Sequence, residues 1–125
     1  MRKLIGVVLT VAFLVCFDAS IALADNPTSA TKCPLDAEEK RSLGATLVTS
    51  LAVEGISCEE GERVTIAFNN CRTSGGRPRG RCQRKVAHYR CSEWRYAKSS
   101  SGYTAAVACL WGGKRVLVTY VQGKS

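Results

Sequence analysis

Six cysteines constrain the fold of this chain most, because their pairing decides which distant segments must meet. They are Cys33, Cys58, Cys71, Cys82, Cys91 and Cys109. None belongs to a Cys-x-x-Cys pair and His88 is the only histidine, so the ligand spacings of zinc modules are missing. These six, without Cys16 near the N-terminus, make an even number, which predicts three disulfides if the domain is exported, and we expect no metal and no cofactor. The pair Cys71–Cys82 is the first choice because it closes a short loop, and the other pairings stay open.

The N-terminal segment predicts export. Arg2 and Lys3 precede an apolar run over residues 4–17, and the small residues Ala22-Leu23-Ala24 follow. This is the arrangement of a secretory signal peptide, and the run is shorter than the ~20 residues that cross a bilayer. The seventh cysteine, Cys16, follows Val15 inside the run, so no lipid-attachment site is expected.

The predicted organisation is therefore a signal peptide over 1–24, a flexible leader over 25–33, and one disulfide-stabilised α+β domain over 34–125. The mature protein is expected to be monomeric, without a membrane span, and secreted to the extracellular space or the periplasm. A single domain of this size has a small core, so three disulfides would supply much of its stability.

Charge is distributed unevenly along the chain. Residues 25–62 contain eight acidic side chains and three basic ones, whereas residues 63–125 contain thirteen basic side chains and only Glu93. Such asymmetry predicts a dipolar molecule whose basic side attracts anionic partners. Attraction between the two halves, together with solubility, would explain the same pattern without a partner.

The stretch CRTSGGRPRGRC over residues 71–82 opens the basic half and predicts an exposed cationic loop. Tyr89, Trp94 and Tyr96 are interleaved with the basic residues that follow, and arginines beside aromatic rings suit polyanions. The candidate binding residues are Arg72, Arg77, Arg79, Arg81, Arg84, Lys85, Arg90 and Arg95. Because export separates the chain from intracellular nucleic acid, an anionic cell-envelope polymer or cell surface is the expected partner. A simple solvated connector is the alternative.

Residues 36–56 fit both a helix and a strand, and a strand from about Thr46 to Ser57 is preferred because Thr and Val are frequent. Ser57 and Glu60 have the spacing of a capping box, which predicts a helix from Cys58 to about Asn69. Acidic residues in its first turn favour the same helix start.

Three strands are predicted after the basic loop: Val86–Tyr96, Tyr103–Trp111 and Lys114–Val121. Gly112-Gly113 predicts a two-residue hairpin turn that places Trp111 opposite Lys114. One face of the hairpin collects the following residues: Tyr103, Val107, Cys109, Trp111, Val116, Val118 and Tyr120. The predicted fold is one strand and one helix followed by a three-stranded antiparallel meander.

The segments VTSLAVEGISC, HYRCSEWR and YTAAVACLWGGKRVLVTYVQ resemble a group of small exported cysteine-rich bacterial proteins of unassigned function. The resemblance extends from about Thr46 over most of the domain, and departs from the group's pattern where His88 stands in place of glycine. It implies export and the fold, and implies no mechanism.

Three alternative functions would each require a different arrangement of these residues. A ribonuclease-like hydrolase would need His88 and Glu93 to converge, although their odd spacing puts them on opposite faces of a regular strand. A protease inhibitor would present Arg79, rather than the Arg77 that precedes proline, on a rigid loop. A membrane-active protein would need an exposed apolar face beside the cations. No arrangement of residues predicts an enzyme, so a non-enzymatic binding domain is the preferred interpretation.

Overall fold

A computed structural model describes residues 29–124, and the predicted signal peptide and the first residues of the leader lie outside this range. The strands are β1 (Thr31–Lys32), β2 (Leu47–Glu54), β3 (Arg90–Ser99), β4 (Gly102–Trp111) and β5 (Lys114–Gly123). The helices are α1 (Glu39–Ser42) and α2 (Cys58–Thr73). The strands form one antiparallel sheet in the order β1-β2-β5-β4-β3. This confirms the predicted α+β class and the C-terminal meander.

The β4–β5 hairpin has the predicted register. Trp111 pairs with Lys114, Cys109 with Val116 and Val107 with Val118 across the Gly112-Gly113 turn. The residues of its predicted apolar face are buried, apart from Trp111 beside the hairpin turn. Alternation of apolar side chains and the turn sequence were therefore sufficient to define this element.

The preferred interpretation of residues 36–56 was also correct in its main part. The strand β2 lies between Gly44 and Gly55, both of which have positive φ and mark the ends of the segment. A short helix precedes it, where Asp36 accepts hydrogen bonds from the backbone N–H groups of Glu38 and Glu39.

The helix α2 begins where the capping spacing predicted. The Ser57 hydroxyl accepts a hydrogen bond from the Glu60 N–H at 3.2 Å. The helix packs against β2 and β5, and Gly61 allows the close approach, since a Cβ there would lie 2.5 Å from a methyl carbon of Val53. It continues four residues past the predicted end at Asn69, which places Cys71 and Arg72 on its buried side.

The first meander strand starts later than predicted. Residues 86–89 form a tight turn in which the backbone groups of Val86 and Tyr89 exchange two hydrogen bonds. Ala87 and His88 between them have φ values of 46° and 73°. The alternation of apolar residues does not reveal such a turn, and no glycine marks it in the sequence. Histidine is, however, enriched in this left-handed region of backbone conformation.

Three disulfides join Cys33 to Cys58, Cys71 to Cys82, and Cys91 to Cys109. The pairing predicted from the short loop is confirmed. Cys33 is buried and its N–H donates to the Leu51 carbonyl, so the sheet begins within the segment predicted to be a flexible leader. Cys91–Cys109 links directly paired residues of β3 and β4.

The two halves of the sheet are covered on the same side by different structures. The helix α2 covers β2 and β5, whereas residues 74–89, an irregular segment that we call the arginine loop, lie against β3 and β4. The opposite side of the sheet has no cover within residues 29–124 and exposes Trp94, Tyr96 and Leu110. Among the described residues no helix is long and apolar enough to cross a membrane.

A substitution at Gly80 would test the contact between the arginine loop and the end of α2. A Cβ at this position would lie 2.0 Å from the backbone oxygen of Arg72, so Gly80→Ala requires the backbone to move. We expect a loss of about 1–3 kcal/mol in the free energy of unfolding, measured by denaturant titration. Gly113→Ala is the control, because a Cβ there meets no atom within 4 Å. Equal stability of the two variants would contradict the close contact.

Candidate functional site

The predicted binding residues divide into two groups in the structure. Arg72 is buried and bonded internally, so the expectation that all of these arginines are available for contact is wrong for Arg72. The Arg95 side chain is 9% exposed and is partly bonded internally, and it also lines a pocket. The exposed cations of the arginine loop and β3 are what we call the basic surface. They are Arg77, Arg79, Arg81, Arg84, Lys85, Arg90 and Lys98.

Arg72 is a buried cation held by neutral groups. It is 1% exposed, and its guanidinium donates to the Asn69 side-chain oxygen at 2.6 Å, the Pro78 carbonyl at 2.7 Å and the Gln122 side-chain oxygen at 2.9 Å. The guanidinium carbon also lies 4.4 Å from the centre of the Tyr120 ring. No carboxylate within residues 29–124 forms an ion pair with it. Its planar set of donors therefore joins the helix, the arginine loop and β5.

Arg95 supports the same loop from β3. Its Nη1 donates to the Arg79 carbonyl at 2.9 Å, and its Nη2 donates to the Gly80 carbonyl. Its Nε donates to the Glu93 carboxylate, and its guanidinium carbon lies 4.3 Å from the centre of the Tyr103 ring. Burial by itself lowers the pKa of Arg95, but the hydrogen bond and the charge of Glu93 outweigh it and raise that pKa. The side chain therefore stays charged.

A pocket of about 300 Å³ lies between the arginine loop and the β3–β4 turn, and we call it the basic pocket. Its lining includes Arg79, Arg81, Arg95, Lys98, Ser99 and Tyr103. The arginine loop carries a second depression beside Arg77 and Arg79, and a third lies beside Arg84, Lys85 and Arg90. Each cation of the basic surface therefore lines at least one of three depressions, which can accommodate anionic groups.

The proposed ribonuclease residues have different neighbours. The centre of the His88 ring lies 5.0 Å from that of the Trp111 ring, at the turn end of the β4–β5 hairpin. Glu93 binds Arg95 and pairs with Val107, four residues from Trp111 along β4, which is roughly 13 Å in a strand. The structure therefore does not bring His88 and Glu93 together. Within residues 29–124 no group of three or more His, Cys, Asp or Glu residues could hold a metal ion.

The inhibitor interpretation requires an accessible peptide bond after Arg79. The carbonyls of Arg79 and Gly80 both accept hydrogen bonds from Arg95, so both are turned towards the protein. This orientation disfavours presentation of the bond to a protease.

Comparison of the chain with protein-family models, with curated proteins and with solved structures finds no match. The resemblance to small exported bacterial proteins therefore stays a prediction.

We expect the hydrogen bonds of the buried Arg72 guanidinium to contribute to the free energy of unfolding. Arg72→Met should lower the free energy of unfolding by about 3 kcal/mol, because the Pro78 carbonyl and two side-chain oxygens lose their donor. The exposed Arg77 is the matched control, and Arg77→Met should change stability by less than about 0.5 kcal/mol. Chemical denaturation measures both. Similar values for the two variants would contradict the bonding of Arg72.

Because Tyr120 is buried, we expect the free energy of unfolding to decrease at alkaline pH. Burial raises the pKa of Tyr120 above its ordinary value of 10.0. The unfolded chain loses this proton above pH 10 while the folded protein retains it, so stability should fall by about 1.4 kcal/mol per pH unit from this group. Tyr120→Phe keeps the ring that contacts Arg72 and should make the fall above pH 10 less steep. Parallel unfolding free energies of the two proteins between pH 9 and 11 would contradict the prediction.

Proposed function

We propose that this protein is an exported, non-enzymatic domain that binds an anionic cell-envelope polymer or anionic cell surface through the basic surface. The observation that carries the proposal is the accumulation of unpaired cations along one continuous stretch of chain. Among the described residues, none of the seven cations of the basic surface forms an ion pair with a carboxylate. Ordinary surfaces intersperse charges of both signs, because like charges that are close together repel.

The support for the arginine loop explains why its cations are suited to binding. Hydrogen bonds from Arg72 and Arg95 hold the backbone carbonyls of Pro78, Arg79 and Gly80, and the Cys71–Cys82 disulfide closes the segment. With the carbonyls turned inward, the side chains of Arg77, Arg79 and Arg81 extend from a restrained backbone. Binding then orders little additional backbone, which lowers the entropic cost of association.

Export is part of the proposal and rests on the N-terminal sequence and on the disulfides. Three disulfides form and persist in oxidising compartments outside the cytosol. A polyanion at the cell surface would meet the basic surface there, and electrostatic attraction would speed the encounter.

Binding should depend on salt and on the arginines of the loop. The oxidised domain should be retained on an immobilised anionic polysaccharide, with affinity falling steeply between 50 and 200 mM salt, on the order of tenfold or more. Replacing Arg77, Arg79 and Arg81 by Ala should lower affinity at least about tenfold and make the salt dependence weaker.

A charge-matched control separates the loop from net charge alone. The control variant replaces Lys32, Lys40 and Arg41, which lie outside the basic half, by Ala. It therefore removes the same number of positive charges. Equal loss of affinity in the two triple variants would show that net charge explains binding, and absence of binding would overturn the proposal.

A further inference from the structure

We propose that the basic pocket binds a phosphoryl group carrying two negative charges, such as the terminal group of a phosphomonoester. The inference rests on the proposed function and narrows its ligand from any polyanion to one that carries such groups.

Arg95 provides donors whose positions are already fixed. Its side chain is 9% exposed, and bonds to Glu93, Arg79 and Gly80 occupy three of its five N–H groups. The remaining two N–H groups have no acceptor within residues 29–124. The ring of Tyr103 holds this guanidinium at 4.3 Å and that of Arg79 at 5.7 Å, so two arginines share one aromatic support in the pocket. Guanidinium groups held in place bind phosphate with less loss of side-chain freedom than mobile lysines do.

The charge around the pocket selects the class of anion. Glu93 offsets the charge of Arg95, which leaves Arg79, Arg81 and Lys98 as three uncompensated cations. A carboxylate or phosphodiester brings one negative charge, whereas a phosphomonoester brings about −1.5 to −2 at neutral pH together with three strong acceptor oxygens. The monoester therefore satisfies more of the charge and more of the donors.

The shape of the site agrees with a small group attached to a larger molecule. About 300 Å³ is at the lower end of the range of ligand pockets, roughly 300–1,000 Å³. Arg79, Arg81, Lys98 and Ser99 are exposed at its rim. The phosphoryl group can occupy the pocket while the rest of an ester extends into solvent or along the neighbouring depressions.

Titration of the oxidised domain with small phosphates, followed by amide NMR shifts and calorimetry, tests the proposal. Inorganic phosphate and methyl phosphate should bind and shift the amides of residues 79–81 and 98–99. Dimethyl phosphate, which carries a single charge, should bind at least about tenfold more weakly. Tighter binding of inorganic phosphate would indicate free phosphate as the source of the group, and tighter binding of methyl phosphate would indicate an ester.

Two charge-matched double variants separate the pocket from the rest of the basic surface. Arg81→Met with Lys98→Met removes two cations of the pocket and should weaken binding of methyl phosphate at least about tenfold. Arg84→Met with Lys85→Met removes two cations beside a different depression and should change it less than about twofold.

Failure of this inference is distinguishable from failure of the proposed function. Equal effects of the two variants, equal affinity for methyl and dimethyl phosphate, or no binding of either phosphate would overturn the pocket. Retention on the anionic polysaccharide is measured separately, and its persistence would leave the proposed function standing. Loss of polysaccharide binding together with intact, pocket-specific phosphate binding would overturn the polymer as partner and retain the pocket.

Discussion

Hydrogen bonds from the guanidinium groups of Arg72 and Arg95 to backbone carbonyls are the interaction on which the rest of this structure depends. The arginine loop covers β3 and β4, and the carbonyls of its residues 78–80 accept no backbone hydrogen bond from the described residues. Arg72 donates to Pro78, and Arg95 donates to Arg79 and Gly80. Without these donors the partly buried carbonyls of Pro78 and Gly80 would lose their partners, which is costly.

The same bonds connect stability with the proposed function. Arg72 and Arg95 bind the arginine loop from the protein side, so the carbonyls that they hold face inward. The arginine side chains of the loop itself then extend outward. Arg95 belongs to both arrangements, because it supports the loop and also lines the basic pocket. The charges offered to an anionic partner are therefore held by a frame that is itself made of arginines, a disulfide and two tyrosine rings.

Prediction from the sequence succeeded where the signal was local. The Gly112-Gly113 turn and the alternation beside it determined the register of β4 and β5, and the Ser57 cap determined the start of α2. It failed at Ala87 and His88, where two residues other than glycine adopt a left-handed turn that alternation cannot show. A strand pattern continued across that turn, so the predicted strand began too early.

The sequence by itself thus determined the fold class, the hairpin register and one disulfide, since each follows from neighbours along the chain. Only the tertiary structure decided which arginines are inside. Arg72 and Arg77 look equivalent in the sequence, because an arginine is stable both in water and against a set of neutral acceptors. The difference comes from Gln122 and Tyr120, about fifty residues further on, which meet Arg72 only when β5 lies beneath the end of α2. Burial of a charge depends on such distant partners, and no local pattern contains them.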